Sequence, residues 1–429
     1  MIGILLVAGF LLLLALGVPI AVALALPAII YSVLPATGMP FTMAAHTITH
    51  SLDSFPLLAV PLFILVGTLM NQSGITTRLF RVAHALVSHW KGGLCHVNVV
   101  ASLVFSGSSG AALADIAGLG NMEIRAMKKA GYRPEFACAL TAASATVGPM
   151  FPPSIPLVIF ATVAEASAVR LLLAGIVPAL LTAAALMLTV AVLAWQRGFP
   201  VDEQRAPLAE ILGSVRSALP ALLTPVILIA GMLSGIFTAT EAAAVTVVYI
   251  LLISAFVYRV LTWEGLVEVS RDTIRTTCVV MVMVAAASLF TRTLALERVP
   301  QAAAGLLLSL SGDPVVLLLL VNLVLLLAGM FLESISAIVL LTPIIVPSLV
   351  LAGVDPVHLG VVVVFNLMVG LLTPPMGMSL FLVSEVGRAP VELVLRELTV
   401  FYIPLFGMIA VLTFFPQLSL WLPSQVLGN

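Results

Sequence analysis

Charge is what this chain of 429 residues has least of: Asp, Glu, Lys and Arg make up 9% of it, against 62% hydrophobic residues. With a mean hydropathy of +1.23, a soluble globular fold is excluded and an all-α polytopic membrane protein is implied. The formal net charge of −1 leaves no basic excess for nucleic acid. No basic region or small-residue cleavage site flanks the first apolar run, which therefore reads as a retained membrane segment rather than a signal peptide. Only three cysteines occur, Cys95, Cys138 and Cys278, all in apolar surroundings, so neither a disulfide framework nor a transition-metal site is expected. His46 and His50 stand one turn apart, but no third placed ligand joins them. There is no G-x-x-x-x-G-K-[ST] loop, so transport would run on a gradient. H-E-x-x-H and G-x-S-x-G are also absent, which argues against an intramembrane enzyme.

What the chain does have is a break in the middle of a long apolar run, Gly148-Pro149-Met150-Phe151-Pro152-Pro153-Ser154. A proline inside a helix costs about 3 kcal/mol or more, so one helix stops here and another starts. In hydrocarbon such a break is tolerated only where protein or a water-filled cavity surrounds it. The signal recurs: Gly370, Pro374 and Pro375 each lie 222 positions after Gly148, Pro152 and Pro153. Matching interruptions in two halves point to the binding site of a secondary transporter.

The rest of the chain arranges itself around these breaks. Residues 1–34 are apolar but interrupted at Gly17-Val18-Pro19, giving two short spans. Residues 35–55 are amphipathic, with Phe41, Ile48 and Leu52 as a candidate membrane-surface face, and 72–92 are amphipathic and basic. The apolar run 94–119 is interrupted by Ser106-Gly107-Ser108-Ser109-Gly110 and has basic segments on both flanks. By the positive-inside rule such a segment enters and returns, so it is predicted to be a re-entrant hairpin. A second interrupted run, 314–350, carries Gly329 at its centre, 222 residues after Gly107. Two inverted repeats are expected: 1–216, with the hairpin at about 94–119 and the broken helix at about 135–166, and 217–429, with the hairpin at about 314–350 and the broken helix at about 359–386. Residues 196–216 are predicted as a charged loop, 259–276 as an amphipathic stretch, 277–291 as a span and 292–313 as an outer loop. Of 18 Lys and Arg, all but Arg170, Arg292 and Arg298 then fall on the inner side, with both termini outward.

A broken helix presents N–H groups to anions and carbonyl groups to cations at membrane depth. Ser106, Ser108 and Ser109, with Thr146 and Ser154, add hydroxyl oxygens, a ligand set suited to sodium rather than to zinc or copper. No Lys or Arg falls in the tips or the broken helices, so an anionic substrate would be held by helix N-termini, hydroxyls and bound cations. The candidate substrate contacts are Ser108, Ser109, Ser144, Ser154, Glu333 and Ser334. Asp115 and Glu333 are acids at membrane depth, where a functional role is the default.

Several runs resemble the large membrane subunit of tripartite ATP-independent periplasmic (TRAP) transporters. They are Phe105 to Ser109, Met127-Lys128-Lys129-Ala130-Gly131-Tyr132-Arg133, Gly148 to Pro156, Gly235-Ile236-Phe237-Thr238-Ala239-Thr240-Glu241 and Thr373-Pro374-Pro375-Met376-Gly377. The resemblance covers nearly the whole chain. It implies an elevator-type carrier of the bacterial inner membrane, in which sodium import drives uptake of an organic acid such as sialic acid or a C4-dicarboxylate. A periplasmic solute-binding protein would deliver the acid, and a separate small membrane subunit would complete the permease. The family pattern implies one sodium at the first hairpin and break, matching Ser106, Gly148 and Pro152, and another matching Gly370, Thr373 and Met376. The alternative is a stand-alone sodium-coupled anion carrier or ion antiporter of related architecture.

Overall fold

The computed structural model describes residues 2–34, 39–53, 55–109, 112–199 and 207–428, and within them the chain is helical. Seven of these helices are long and apolar enough to cross a membrane, or up to nine if each of two bent pairs counts as one span. Ile2–Ala15 and Ile20–Val33 are the two short opening helices, separated at Gly17 and Pro19. The first hairpin runs up through Gly93–Ser109 and returns through Ala112–Asp115, a π turn (Ile116–Gly120) and Asn121–Lys129. Its arms are therefore longer than the dozen residues that the apolar run alone suggested. The π turn keeps the return arm continuous into the basic segment.

The first broken helix comprises Pro134–Ala145, a 3-10 turn at Gly148–Met150 and Ile155–Val163, bent by 45°. In the second half the hairpin is Pro314–Phe331 and Ser334–Leu351, and the broken helix is Pro356–Gly370 and Met378–Gly387. Proline in the first turn and a capping side chain recur at these starts. Asp313 accepts from Val315 N at 2.8 Å and Asp355 from Val357 N at 2.7 Å, satisfying donors that a helix start otherwise leaves orphaned. Thr238 and Glu241 form a complete capping box at the start of Ala239–Leu252.

Several boundaries differ from the sequence reading. The amphipathic stretch 259–276 and the span 277–291 are one helix, Trp263–Leu296, because no glycine or proline follows Gly265 to interrupt it. The loop 292–313 contains the helix Val299–Leu310, and the charged loop 196–216 yields its last part to Leu208–Leu233. A further helix, Gln417–Leu427, follows the last span after Pro416. In Phe41–Leu52 the packed stripe is Ala44, Thr47, Ile48 and Ser51, while Phe41 and Leu52 are exposed. The helix lies against Trp263–Leu296, so a protein neighbour rather than a lipid surface selects its buried face.

The packing sorts the helices into two groups. Each broken helix begins against its own hairpin, Pro134–Ala145 on Gly93–Ser109 and Pro356–Gly370 on Pro314–Phe331. Beyond the break each crosses to the other hairpin: Ile155–Val163 packs on Ser334–Leu351, and Met378–Gly387 packs on the return arm of the first hairpin. The long helices Ala168–Arg197 and Val391–Phe414 clasp this interlocked unit. Beside it, Ala59–Gln72, Ile75–Val87, Leu208–Leu233, Ala239–Leu252 and Trp263–Leu296 pack on one another.

Candidate functional site: the two breaks and their hairpins

The first break is closed by its own side chain. Ser154, fully buried, accepts from Leu157 N at 3.2 Å and donates to the Pro149 carbonyl. Its hydroxyl thus satisfies an orphan donor and an orphan acceptor of the interrupted helix. Gly148, Pro152 and Pro153 are buried around it, and the Pro152-Pro153 bond is cis. The return arm segment Ala112–Asp115 and the first arm both pack on Gly148–Met150. The first arm ends in Ser106, Ser108 and Ser109, whose side chains lie outside the described residues.

The second break is more open. Pro374, Pro375 and Met376 are exposed, Thr373 is half-buried and Gly370 is buried, and the Pro374-Pro375 bond is also cis. The Thr373 hydroxyl donates to the Val369 carbonyl at 2.9 Å and lies beside the Tyr402 hydroxyl. Gly377 N donates to the Met330 carbonyl at 3.1 Å, tying the break to the second hairpin tip. Tyr402, from the clasping helix, donates to the Leu372 carbonyl at 2.7 Å. At the tip itself Glu333 caps Ser334–Leu351, accepting from Ile335 N at 3.0 Å, Ser336 N at 3.2 Å and the Ser334 hydroxyl at 2.8 Å. Both Glu333 and Ser334 are thereby engaged in fixing the tip.

Ser144 belongs to a buried polar chain rather than to an open surface. Its hydroxyl lies 2.6 Å from Asn98 Oδ1 and accepts from Ser102 at 3.1 Å, while Asn98 Nδ2 donates to Glu123 Oε2 at 2.8 Å and to Thr141 Oγ1 at 2.7 Å. The second half holds a counterpart: Asn366, 222 positions after Ser144, donates to Asn322 Oδ1 at 3.0 Å, and Asn322 donates to Thr413 at 2.7 Å. In both halves an asparagine of the hairpin's first arm is bonded to the first segment of the broken helix. The motif reading missed Asn98, Asn322 and Asn366, although each is a strong polar group inside an apolar run, where it needs a partner.

A cavity of about 880 Å³ separates the interlocked unit from the neighbouring helices. Thr162 and Glu165 of the first broken helix line it on one side, and His50, Ser288, Thr291 and Arg292 on the other. The sequence reading placed Arg292 on the outer side but did not connect it to the breaks.

Two helical hairpins, two interrupted helices and a cavity beside them define a multi-pass membrane permease rather than an enzyme. Residues 7–418 match the family described as "Tripartite ATP-independent periplasmic transporter, DctM component". The chain belongs to that family, as a large subunit of a TRAP transporter in the bacterial inner membrane. It is 45% identical over 421 residues to the sialic acid TRAP transporter large permease protein SiaM of Vibrio cholerae, covering 98% of each chain. It is 37% identical over 418 residues to the sialic acid TRAP transporter permease protein SiaT of Haemophilus influenzae, covering 97% of this chain and 68% of that one. The 2,3-diketo-L-gulonate TRAP transporter large permease protein YiaN of Escherichia coli is 35% identical over 374 residues, 87% of this chain and 88% of that one. Among solved structures, the YdaH transporter of Alcanivorax borkumensis covers 100% of both chains with a TM-score of 0.67 at 16% identity, a likeness of fold.

Proposed function

We propose that this chain is the transport subunit of a system that takes up a carboxylate in symport with sodium, receiving it from a periplasmic solute-binding protein and working beside a small membrane subunit. The large-permease relatives named for sialic acid and diketogulonate support an organic acid, and sialic acid is the first to test. The small subunit rests on membership of the tripartite family. The two halves, 1–216 and 217–429, are read as inverted repeats, with the hairpins and broken helices moving as one body against the remaining frame.

The observation that carries this reading is the crossing of each broken helix from one hairpin to the other. Neither break can open alone without exposing unpaired backbone groups, at several kcal/mol each in lipid. Rigid translation of the whole body keeps them paired. One sodium is assigned to Ser106, Gly148 and Pro152 and another to Gly370, Thr373 and Met376, with carbonyl and hydroxyl oxygens as ligands. The acid is assigned to the tip residues Ser108, Ser109, Glu333 and Ser334, since Ser144 and Ser154 spend their hydroxyls inside the protein, and Arg292 draws it through the outer cavity.

The test is uptake into proteoliposomes holding this chain with its small subunit. The expected result is accumulation that requires both the binding protein and an inward sodium gradient. Accumulation driven equally by potassium, or without the binding protein, overturns the corresponding part.

A further inference from the structure

The return arm of the first hairpin carries two fully buried acids that the assignments above do not use. Asp115 is 2% exposed and Glu123 is 1% exposed. Neither has an ion-pair partner among the described residues: the ion pairs found there join Arg133 and Arg197 to Glu397, and Lys128 is turned to the Gly387 carbonyl at 3.1 Å. Glu123 accepts from Asn98 through Oε2, but its Oε1 has no donor. Asp115 has the Ser102 hydroxyl, which also reaches Ser144 at 3.1 Å, as a polar neighbour, and neither of its oxygens makes a well-formed hydrogen bond. A buried, unpaired carboxylate is strongly unfavourable unless a cation joins it or it takes up a proton.

The polar groups lie in register along the hairpin and broken-helix interface. Asn98, Ser102 and Ser106 succeed one another at one-turn spacing on the first arm, and Thr141, Ser144 and Gly148 do so on the broken helix. Asp115 stands beside Ser102, and its segment packs on Pro134–Ala145; Ser144 is about 5 Å short of the break by the pitch of a helix. The π turn Ile116–Gly120 begins immediately after it, and such turns occur frequently at functional sites.

Holding the hairpin to the helix does not by itself call for acids. In the second half the contact is made by Asn322, Asn366 and Thr413. The positions 222 residues after Asp115 and Glu123 are Ala337 and Ile345, both buried. The acids are an addition to a contact that works without them.

We propose that Asp115, with the hydroxyl oxygens of Ser102 and Ser144, forms a further sodium site one helical turn to the cytoplasmic side of the first break, and that the charge of Glu123 strengthens it. Ser102 links the other two, 3.1 Å from Ser144 and beside Asp115, on three helices that pack on one another. The ligands are hard oxygens, which exclude the softer transition metals. The site rests on the sodium-coupled reading and on the inward placement of the basic segment that follows the hairpin. It gives an ion leaving the break a second resting point before the cytoplasm.

The experiment counts ions bound to the purified complex of this chain and its small subunit, by equilibrium dialysis against radioactive sodium in a choline buffer. Asp115→Asn is expected to bind one ion fewer than the unaltered complex. Its melting temperature in sodium-free buffer should equal or exceed the unaltered value, since an uncompensated buried charge is gone. Glu123→Gln should keep the count and raise the half-saturating sodium concentration several-fold. If Asp115→Asn does not fold, Ser102→Ala should raise the half-saturating concentration in its place. An Asp115→Asn protein, or failing that a Ser102→Ala protein, with unaltered count and half-saturation overturns the site and leaves a shared proton to neutralise the pair. An unaltered complex that binds no sodium overturns the sodium reading of the previous section together with this one.

Discussion

Gly329 and Gly370 touch backbone to backbone: a Cβ built on Gly370 would stand 2.7 Å from the Gly329 Cα, and one on Gly329 would stand 2.9 Å from the Leu367 carbonyl oxygen. The tip of the second hairpin and the start of the second break meet at a distance that only two glycines allow. Gly370→Ala should therefore lower the stability of the purified protein by about 1–3 kcal/mol, the usual cost of overpacking, and abolish uptake. Gly407→Ala is the control. That glycine lies inside Val391–Phe414 with nothing within 4 Å of its Cβ position, so the substitution should be neutral or slightly stabilising. Thermal melts and uptake assays on the two variants check the contrast.

Sodium should raise the melting temperature of the complex and potassium should not, at equal ionic strength, because carbonyl ends brought together at the breaks repel without a fitting cation. Thr373→Ala should shrink that increment while changing the sodium-free melting temperature little. The hydroxyl is half-buried and donates to the Val369 carbonyl just before the break, a bond worth about 0.5–1.5 kcal/mol. An increment equal to that of the unaltered complex would remove Thr373 from the ligand set.

Ser336 of the second hairpin reaches Met283 of Trp263–Leu296 at 3.0 Å, a contact between the proposed moving body and its frame. Cysteines at these two positions, once oxidised, should stop uptake, and reduction should restore it. Cysteines at Asn322 and Asn366, both within the body, should give equal uptake oxidised and reduced. Comparing each variant with its own reduced form separates the cross-link from the substitutions. Arrest by both pairs would favour local gating over movement of a rigid body.

Arg292→Gln should raise the KM for the acid several-fold and leave the sodium-dependent melting increment intact, since Arg292 lines the cavity on the frame side, away from both breaks. A changed increment with unchanged KM would assign Arg292 to the frame rather than to the substrate path.

Ser154→Ala should destabilise the protein by about 1–3 kcal/mol even without substrate, because it strands Leu157 N and the Pro149 carbonyl in a buried site. Unchanged stability with weaker substrate binding would instead make Ser154 primarily a ligand.

Much of this architecture is written locally. Prolines and glycines at Gly148 to Pro153 and Gly370 to Pro375 end helices wherever they stand, and the basic residues of 125–133 bias a hairpin to return, so breaks and hairpin were legible from residue types alone. The Thr238 and Glu241 capping box is equally local, its partners being three residues apart. What lay beyond the sequence depends on neighbours far along the chain. Only packing decides that Ala44 and Ile48, not Phe41, are covered on Phe41–Leu52, or that the break at Gly370 meets the tip at Gly329. Only packing directs Ser154 and Ser144, two hydroxyls alike in sequence, to closing a break and to a buried chain with Asn98. It also leaves Asp115 buried beside Ser102, with no cationic side chain paired to it among the described residues. A side chain's donors and acceptors can be counted from its name, but which of them remain free to bind is settled by the other helices that fold against it.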